Sequence, residues 1–460
     1  MRLIQDYKRQ SIYIFLGFIV ILFPFFNSLY FLLAFLAGAL VFSRITPGSP
    51  VFQMLARESD IKAGRLTGMF QLFFIMALLL LINLTIGPDK LPLFIIGGAF
   101  AITTFGDGAA DIINIHDKEK NNARKKGDIK VYSARSSIVF LIAGSIFAFL
   151  AGAWILAWGG QDILHVPYGM LFFLAVLGSL TGALLESITA TEDNVVIPFG
   201  SAMTMWLFYT FRFSYNVETQ YLFMVLVFAF ILGYLAYRVR IADISAMLSA
   251  TLIGVIIIIS SSISWFFILL SFFFLGSLFT RYKYNYKLKF GVAEKKGGIR
   301  GYKNVFSNSI AALSLAVGYR IFYPSYDMLL MSAYLGSVAT ACGDTLASEI
   351  GQTYKGEPRM ITTFKKARPG TDGAVSGLGE AAAFFGSSVI ALLAVLLIPD
   401  MQNGFGVVIA VVAGGFIGTN IDSVLGATLQ QKGYLSNNGV NFFATISGAI
   451  ISGLIYIAGS

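Results

Sequence analysis

Carboxylates, cations and glycines alternate between residues 337 and 380, in the string SVATACGDTLASEIGQTYKGEPRMITTFKKARPGTDGAVSGLGE. Asp344, Ser348 and Glu349 fall within about two helical turns, Lys365, Lys366 and Arg368 follow, and a turn from Pro369 through Gly370, Thr371 and Asp372 to Gly373 closes the run. Carboxylate oxygens hold hard divalent cations, while basic side chains and glycine-rich backbone hold phosphate oxygens, so the pattern suits a metal-bound polyphosphate. A solvated loop whose charges merely record membrane topology is the competing account for Lys355, Arg359 and Lys365. The same residue types recur at helical spacing elsewhere. Asp107 and Asp111, four apart, share a helix face, as do Asp344 and Ser348, and each pair can aim oxygens at one cation. Glu186 and Asp193, seven apart, also share a face beside Asn194. With Asp422, these give Asp107, Glu186, Asp193, Asp344 and Asp422 as candidate metal ligands. Gly106 and Gly343 precede the aspartates and leave room for a phosphate or ion near the backbone. A carboxylate in a span is costly unless it faces a polar cavity or a partner, which favours function for Asp344, Glu349 and Asp422. Thr345, Ser376 and Cys342 read equally well as small packing residues between helices.

What must position these residues is a membrane. Hydrophobic residues make up 57% of the 460 and charged residues 12%, and the mean hydropathy is +0.76. The fold class is therefore all-α, a polytopic bundle of roughly fifteen spans. They run approximately over 11–27, 29–43, 66–87, 92–110, 136–158, 169–190, 195–213, 219–237, 243–260, 263–280, 304–323, 327–347, 376–398, 405–425 and 441–458. Of the 33 Lys and Arg, all but Lys90, Arg212 and Arg320 fall in loops on one side. That asymmetry predicts a cytoplasmic N-terminus and a cytoplasmic site, and it accounts for the net charge of +9 without nucleic acid as a partner. The apolar run after the basic N-terminus is too long for a signal-peptide core and reads as a retained helix. A single cysteine excludes a disulfide framework, and two histidines in separate loops, His116 and His165, argue against zinc and against His-based acid catalysis. Slid against itself by 237 residues, the chain pairs Gly64 with Gly301, Gln71 with Asn308, Gly106 with Gly343 and Asp107 with Asp344; a slide of 236 pairs Gly182, Glu186 and Ser187 with Gly418, Asp422 and Ser423. Two homologous halves follow, 1–240 and 241–460, parallel because an even number of spans separates equivalent points.

The second half resembles the membrane-protein family that includes plant phytyl-phosphate kinase and the transmembrane protein 19 group, through NVFSNSIAA, ATACGDTLASEIG, ITTFKKARPGTDGAVS and DSVLGATLQ with NNGVN. The first half more distantly resembles the polyprenol kinases of phytol and dolichol, through FGDGAADIIN and ESITATEDNVVIP. Those kinases carry a glycine-bearing Lys-Ser loop after the Gly-Asp motif, whereas Lys130 to Ser136 here lacks the glycine. The resemblances imply phosphoryl transfer, with Mg²⁺ and CTP as donor, to an isoprenoid alcohol or its monophosphate. They imply catalytic roles for Asp344, Glu349, Asp372, Asp422 and Asp107, and nucleotide or phosphate contacts from Gly343, Lys365, Lys366, Arg368, Gly370, Thr371, Gly373, Asn308 and Asn438. An alcohol must lose a proton on attack, so a base such as Asp107 or Asp193 suits the first half. A phosphate acceptor is already anionic and needs cations, which assigns it to the second. A lipid cytidylyltransferase would use the same donor, metal and membrane, and a secondary transporter would also show repeats and carboxylates, though nearer the bilayer midplane.

Overall fold

The computed structural model describes residues 2–120, 133–159, 166–188, 193–214, 218–398 and 404–459, nearly all of them helical. His165 and the stretch from Lys130 to Tyr132 lie outside the described residues. The chain divides into two compact units, Met1–Met224 and Val225–Ser460, within one helix, whereas the sequence reading put the boundary at 240. In the first unit the helices are α1 (Arg2–Gly17), α2 (Ser28–Arg44), two short turns α3 (Pro50–Leu55) and α4 (Glu58–Ala63), α5 (Thr67–Ile86), α6 (Leu93–Ala101), α7 (Gly108–Lys120), α8 (Ala134–Trp158), α9 (Tyr168–Ile188) and α10 (Asp193–Ser214). A wide π-helical turn, Ile102–Asp107, joins α6 to α7 and ends on the first candidate carboxylate. Such turns widen a helix locally and re-aim its side chains. This segment packs against α8, α9 and α10. Gly106 serves that packing: a Cβ there would lie 3.2 Å from the Gly144 Cα and 3.3 Å from the Phe140 ring.

Helix α11 (Thr219–Arg238) carries the chain into the second unit, which holds α12 (Ile244–Ser260), α13 (Ile263–Arg281), a short α14 (Tyr284–Lys289), α15 (Tyr302–Phe322), α16 (Asp327–Gly351), α17 (Gly377–Leu397), α18 (Gly404–Leu425) and α19 (Asn437–Gly459). Helix α16 is the axis, packed against α13, α15, α17, α18 and α19. Close approach comes from residues without side chains to interfere. A Cβ on Gly343 would meet Thr419 Oγ1 at 2.8 Å and the Ala383 carbonyl at 3.0 Å, so this glycine seats α16 between α17 and α18. That corrects the expectation that Gly343 makes room for phosphate. A second π-helical turn, Gly426–Gln430, extends α18. The polar insertion between α16 and α17 is pinned by a two-residue antiparallel pair, β1 (Arg359–Met360) with β2 (Ala374–Val375).

Of the fifteen segments read from hydropathy, 11–27 covers the end of α1 and a 3-10 helix (Phe18–Phe25), 92–110 covers α6, the π-helical turn and the start of α7, 169–190 runs past the described end of α9 at Ile188, and the other twelve each fall on one helix to within a residue. Among the described residues, eleven helices are long and apolar enough to cross a membrane. Helices α2 and α12 are 17 residues long, and α10 and α16 are not in that set. Helix α16 is interrupted by the acidic residues Asp327, Asp344 and Glu349, the last two near its end.

Candidate functional site

In the second unit a polar cavity of about 250 Å³ is walled by the end of α16, the insertion, the start of α17, the end of α18 and the start of α19. Asp344 reaches it from α16 and Asp422 from α18, and their side chains are in hydrogen-bonding contact. Two carboxyl groups at that separation share a proton unless a cation lies between them and lets both ionise. Asp422 Oδ2 is buried and has no hydrogen-bond partner among the described residues. Among the described residues six carboxylates line the cavity, from Glu294, Asp344, Glu349, Asp372, Glu380 and Asp422, and one guanidinium, that of Arg300. A site of this composition accepts a phosphate only together with added cations.

The insertion supplies backbone to the cavity. Gly370 and Gly373 have φ of +82° and +76°, a region favourable only to glycine, and with Thr371 and Asp372 they form the wall expected from the sequence. A Cβ on Gly373 would collide with the backbone of Ala427, so the turn is pressed onto the π-helical end of α18, where Gly426 sits 3.1 Å from the Gly373 nitrogen by the same construction. Gln431 Nε2 donates to the Asp372 carbonyl at 2.9 Å and fastens the contact.

The basic run behaves differently from the expectation. Lys365, Lys366 and Arg368 are exposed and do not line the cavity; Lys366 pairs with Glu357 on the outer face. Arg359 also bridges to Lys366 through the backbone, and it is the following stretch, from Pro369 to Val375, that lines the cavity. Arg300 takes the expected cationic place. Its backbone N–H donates to the Ile241 carbonyl and its carbonyl accepts from Asp243 N–H, both at 2.9 Å, and its Nη1 donates to Asn304 Oδ1 at 2.5 Å. Burial pulls the Arg300 pKa down, opposed by the nearby carboxylates of Glu294, Glu349 and Asp344. In sequence it is one more positive charge in a basic loop, and only its place four residues before Asn304 hints at its role.

Glu349 lines the cavity but is held by Lys287, whose Nζ donates to Glu349 Oε2 at 2.5 Å and to the carbonyls of Thr280 at 2.8 Å and Phe279 at 3.0 Å. Lys287 is fully buried. Glu349 therefore docks α14 to α16 and α13, a positioning role in place of the catalytic one expected. Asn308 and Asn438 stand behind the wall. Asn308 Nδ2 donates to the Asn304 carbonyl at 2.9 Å and its Oδ1 accepts from Asn441 Nδ2 at 3.4 Å; Asn438 Oδ1 accepts from Ser307 Oγ at 3.5 Å. They tie α15 to α19 and leave Asn304, Asn437 and Asn441 to face the cavity.

The first unit gathers a second acidic cluster. Asp107, Asp111 and Glu186 are all buried and offer oxygens within 4.8 Å of one another, a spacing that fits a metal ion. Gln10 Nε2 donates to Asp111 Oδ2 at 2.5 Å. Asp193, expected among the ligands, is instead held by Arg57, whose Nη1 reaches its two oxygens at 2.7 and 2.9 Å. Burial works against the charge on Arg57, yet the Asp193 carboxylate outweighs it and raises the guanidinium pKa. Asp111 takes the place vacated by Asp193, as its four-residue spacing from Asp107 allows.

Residues 227–449 match the family described as integral membrane protein DUF92, and this match encloses α12–α18 and the residues that wall the second unit's cavity. An uncharacterized membrane protein of Methanocaldococcus jannaschii is 33% identical over 240 residues, 51% of this chain and 94% of its own length. One from Synechocystis is 36% identical over 201 residues, 43% of this chain and 76% of its own length. Protein VTE6 of Arabidopsis thaliana, a chloroplastic protein, is 29% identical over 217 residues, 45% of this chain and 63% of its own length. No solved structure matches. Since the archaeal relative is matched over almost its whole length at a third identity, the chain belongs to the integral membrane protein DUF92 family.

Proposed function

We propose that the second unit is a membrane isoprenoid lipid kinase, which transfers the terminal phosphoryl group of CTP or another nucleoside triphosphate to a prenyl or phytyl monophosphate. The observation that carries this reading is the meeting of Asp344 and Asp422 in a cavity also walled by the Gly370–Gly373 turn and Arg300. An acceptor phosphate oxygen attacks the γ-phosphorus, the bond from that phosphorus to the β-bridging oxygen breaks, and the nucleoside diphosphate leaves with the electron pair. A phosphate monoester is already anionic at its attacking oxygen and needs no general base. Arg300 offsets the charge of the acceptor, and the N–H groups of the insertion hold the donor phosphates. The adjacent carboxyls and the unpartnered Asp422 Oδ2 suit a divalent cation such as Mg²⁺, held by Asp344 and Asp422. When bound, that ion neutralises charge that develops on the transferred group. The distribution of Lys and Arg supports a cytoplasmic cavity and N-terminus.

The acidic cluster of the first unit supports a second reading, phosphorylation of the free prenol, with Asp107, Asp111 and Glu186 around a cation. The decisive experiment for both uses purified full-length protein, labelled nucleotide, Mg²⁺ and a panel of prenols and prenyl monophosphates, with products resolved as mono- and diphosphates. Labelled prenyl diphosphate is the expected product. Release of pyrophosphate with a nucleotidyl lipid would assign the chain to cytidylyl transfer, and no nucleotide-dependent product would leave transport as the better account.

A further inference from the structure

A second cavity of the same unit, an apolar slot of about 80 Å³, runs between α11, α12 and α13. Small side chains open it: Ala236 on α11, then Ala246 and Ala250 on α12, facing Leu270 and Phe273 on α13. Its polar end is Arg300, which also lines the acidic cavity. The guanidinium is fixed at this junction. A Cβ on Gly276 would sit 2.8 Å from Arg300 Nη2 and 3.1 Å from Thr345, so the head group threads between α13 and α16. Arg300 Nε is buried and makes no hydrogen bond among the described residues. A buried donor of this kind calls for an acceptor.

We infer that this slot binds the isoprenyl chain of the acceptor, with the phosphate at its end paired to Arg300 and delivered to Asp344 and Asp422. Charge complementarity selects the occupant. A nucleoside has too many polar edges for a slot whose other walls are hydrocarbon, whereas an apolar tail ending in an anion matches both the walls and the guanidinium. Of the helices around the slot, α11 and α13 are long and apolar enough to cross a membrane and α12 is a shorter apolar helix, so a lipid substrate need not leave hydrocarbon to fill it. This inference rests on the kinase reading for the identity of the head group; the tail site is read from the slot itself.

The test uses full-length protein in phosphatidylcholine nanodiscs and acceptors from dimethylallyl to geranylgeranyl phosphate. Ala246→Phe and Ala250→Phe narrow the slot from α12, and Phe273→Ala widens it from α13. The ratio of turnover on the geranylgeranyl to that on the dimethylallyl acceptor is expected to fall at least tenfold in the first two and to rise in the third. In parallel, a photoreactive geranylgeranyl phosphate is crosslinked and the labelled peptides are mapped, which requires no transfer. Labelling of α12 and α13 that Ala250→Phe removes supports the tail site even if wild-type protein phosphorylates no acceptor, in which case the kinase reading alone fails. Unchanged length ratios in all three variants, labelling elsewhere, or a phosphatidylcholine retained in the slot that the prenyl phosphate does not displace would overturn the inference.

Discussion

Asp344 and Asp422 share one place from two helices, and this fixes what their replacement does. Each Asp→Asn change keeps volume and a hydrogen-bonding group but removes the charge that a cation needs, so either is expected to lower turnover at least a thousandfold, roughly 4 kcal/mol or more, with unchanged thermal unfolding. Near wild-type turnover at saturating Mg²⁺ would remove that residue from the site. Arg300 and Arg368 separate two meanings of positive charge. A guanidinium locked between α13 and α16 presents a planar fork that an ammonium does not reproduce, so Arg300→Lys is expected to cost tenfold or more, about 1.4 kcal/mol. Arg368→Lys and Lys365→Ala, on the outer face of the insertion, should stay within about twofold, and steady-state kinetics on the three variants decides between cavity and loop. The carboxylates were legible in the sequence because an acid in an apolar run is expensive and has to be explained. Arg300 was not, since a cation in a basic loop has an ordinary explanation, and only the fold lifts it from its neighbours.

At the scale of elements, the Lys287–Glu349 pair holds a six-residue helix against two long ones. Lys287→Met leaves Glu349 buried without its partner, and breaking a pair of this kind costs about 3–5 kcal/mol. A clear drop in thermal unfolding temperature is expected, largely recovered in the double variant with Glu349→Leu; a double variant no more stable than the single would show that the charges are not coupled. The long helices were legible as hydrophobic runs, though among the described residues eleven helices, where fifteen spans were expected, are long and apolar enough to cross a membrane. Less legible were the places where a helix departs from regularity. The turns at Ile102–Asp107 and Gly426–Gln430 have no signature in hydropathy, yet they aim Asp107 and seat the Gly373 turn. The exposure of Lys365, Lys366 and Arg368 was hidden for a similar reason, because hydropathy does not show which part of the insertion, here Pro369 to Val375, lines the cavity.

At the scale of the molecule, each unit brings together the aspartate of its Gly-Asp motif and a carboxylate from two long helices later: Asp107 with Glu186 in one, Asp344 with Asp422 in the other. The internal alignment of the sequence paired these same residues. If each unit runs its own reaction, Asp107→Asn should abolish product from prenol and spare product from prenyl phosphate, while Asp344→Asn should do the reverse, as read by separate acceptor assays on each variant. Loss of one shared activity in both variants would show that the clusters serve a single reaction.

On the kinase reading, the excess of carboxylates over Arg300 among the described lining residues, with Glu349 neutralised by Lys287, also bears on the order of events. A lipid phosphate that drifts along the bilayer would meet a repulsive field at the cavity, with Arg300 the one cation among the described lining residues to hold it, so the acceptor alone would not fill the donor's place. Only after cations arrive with the nucleotide does the sign of the field change. In kinetic language the charge of the walls would then be a gate: donor would precede acceptor at the paired carboxylates, and a kinase built this way would not be blocked when prenyl phosphate is abundant and nucleotide is scarce.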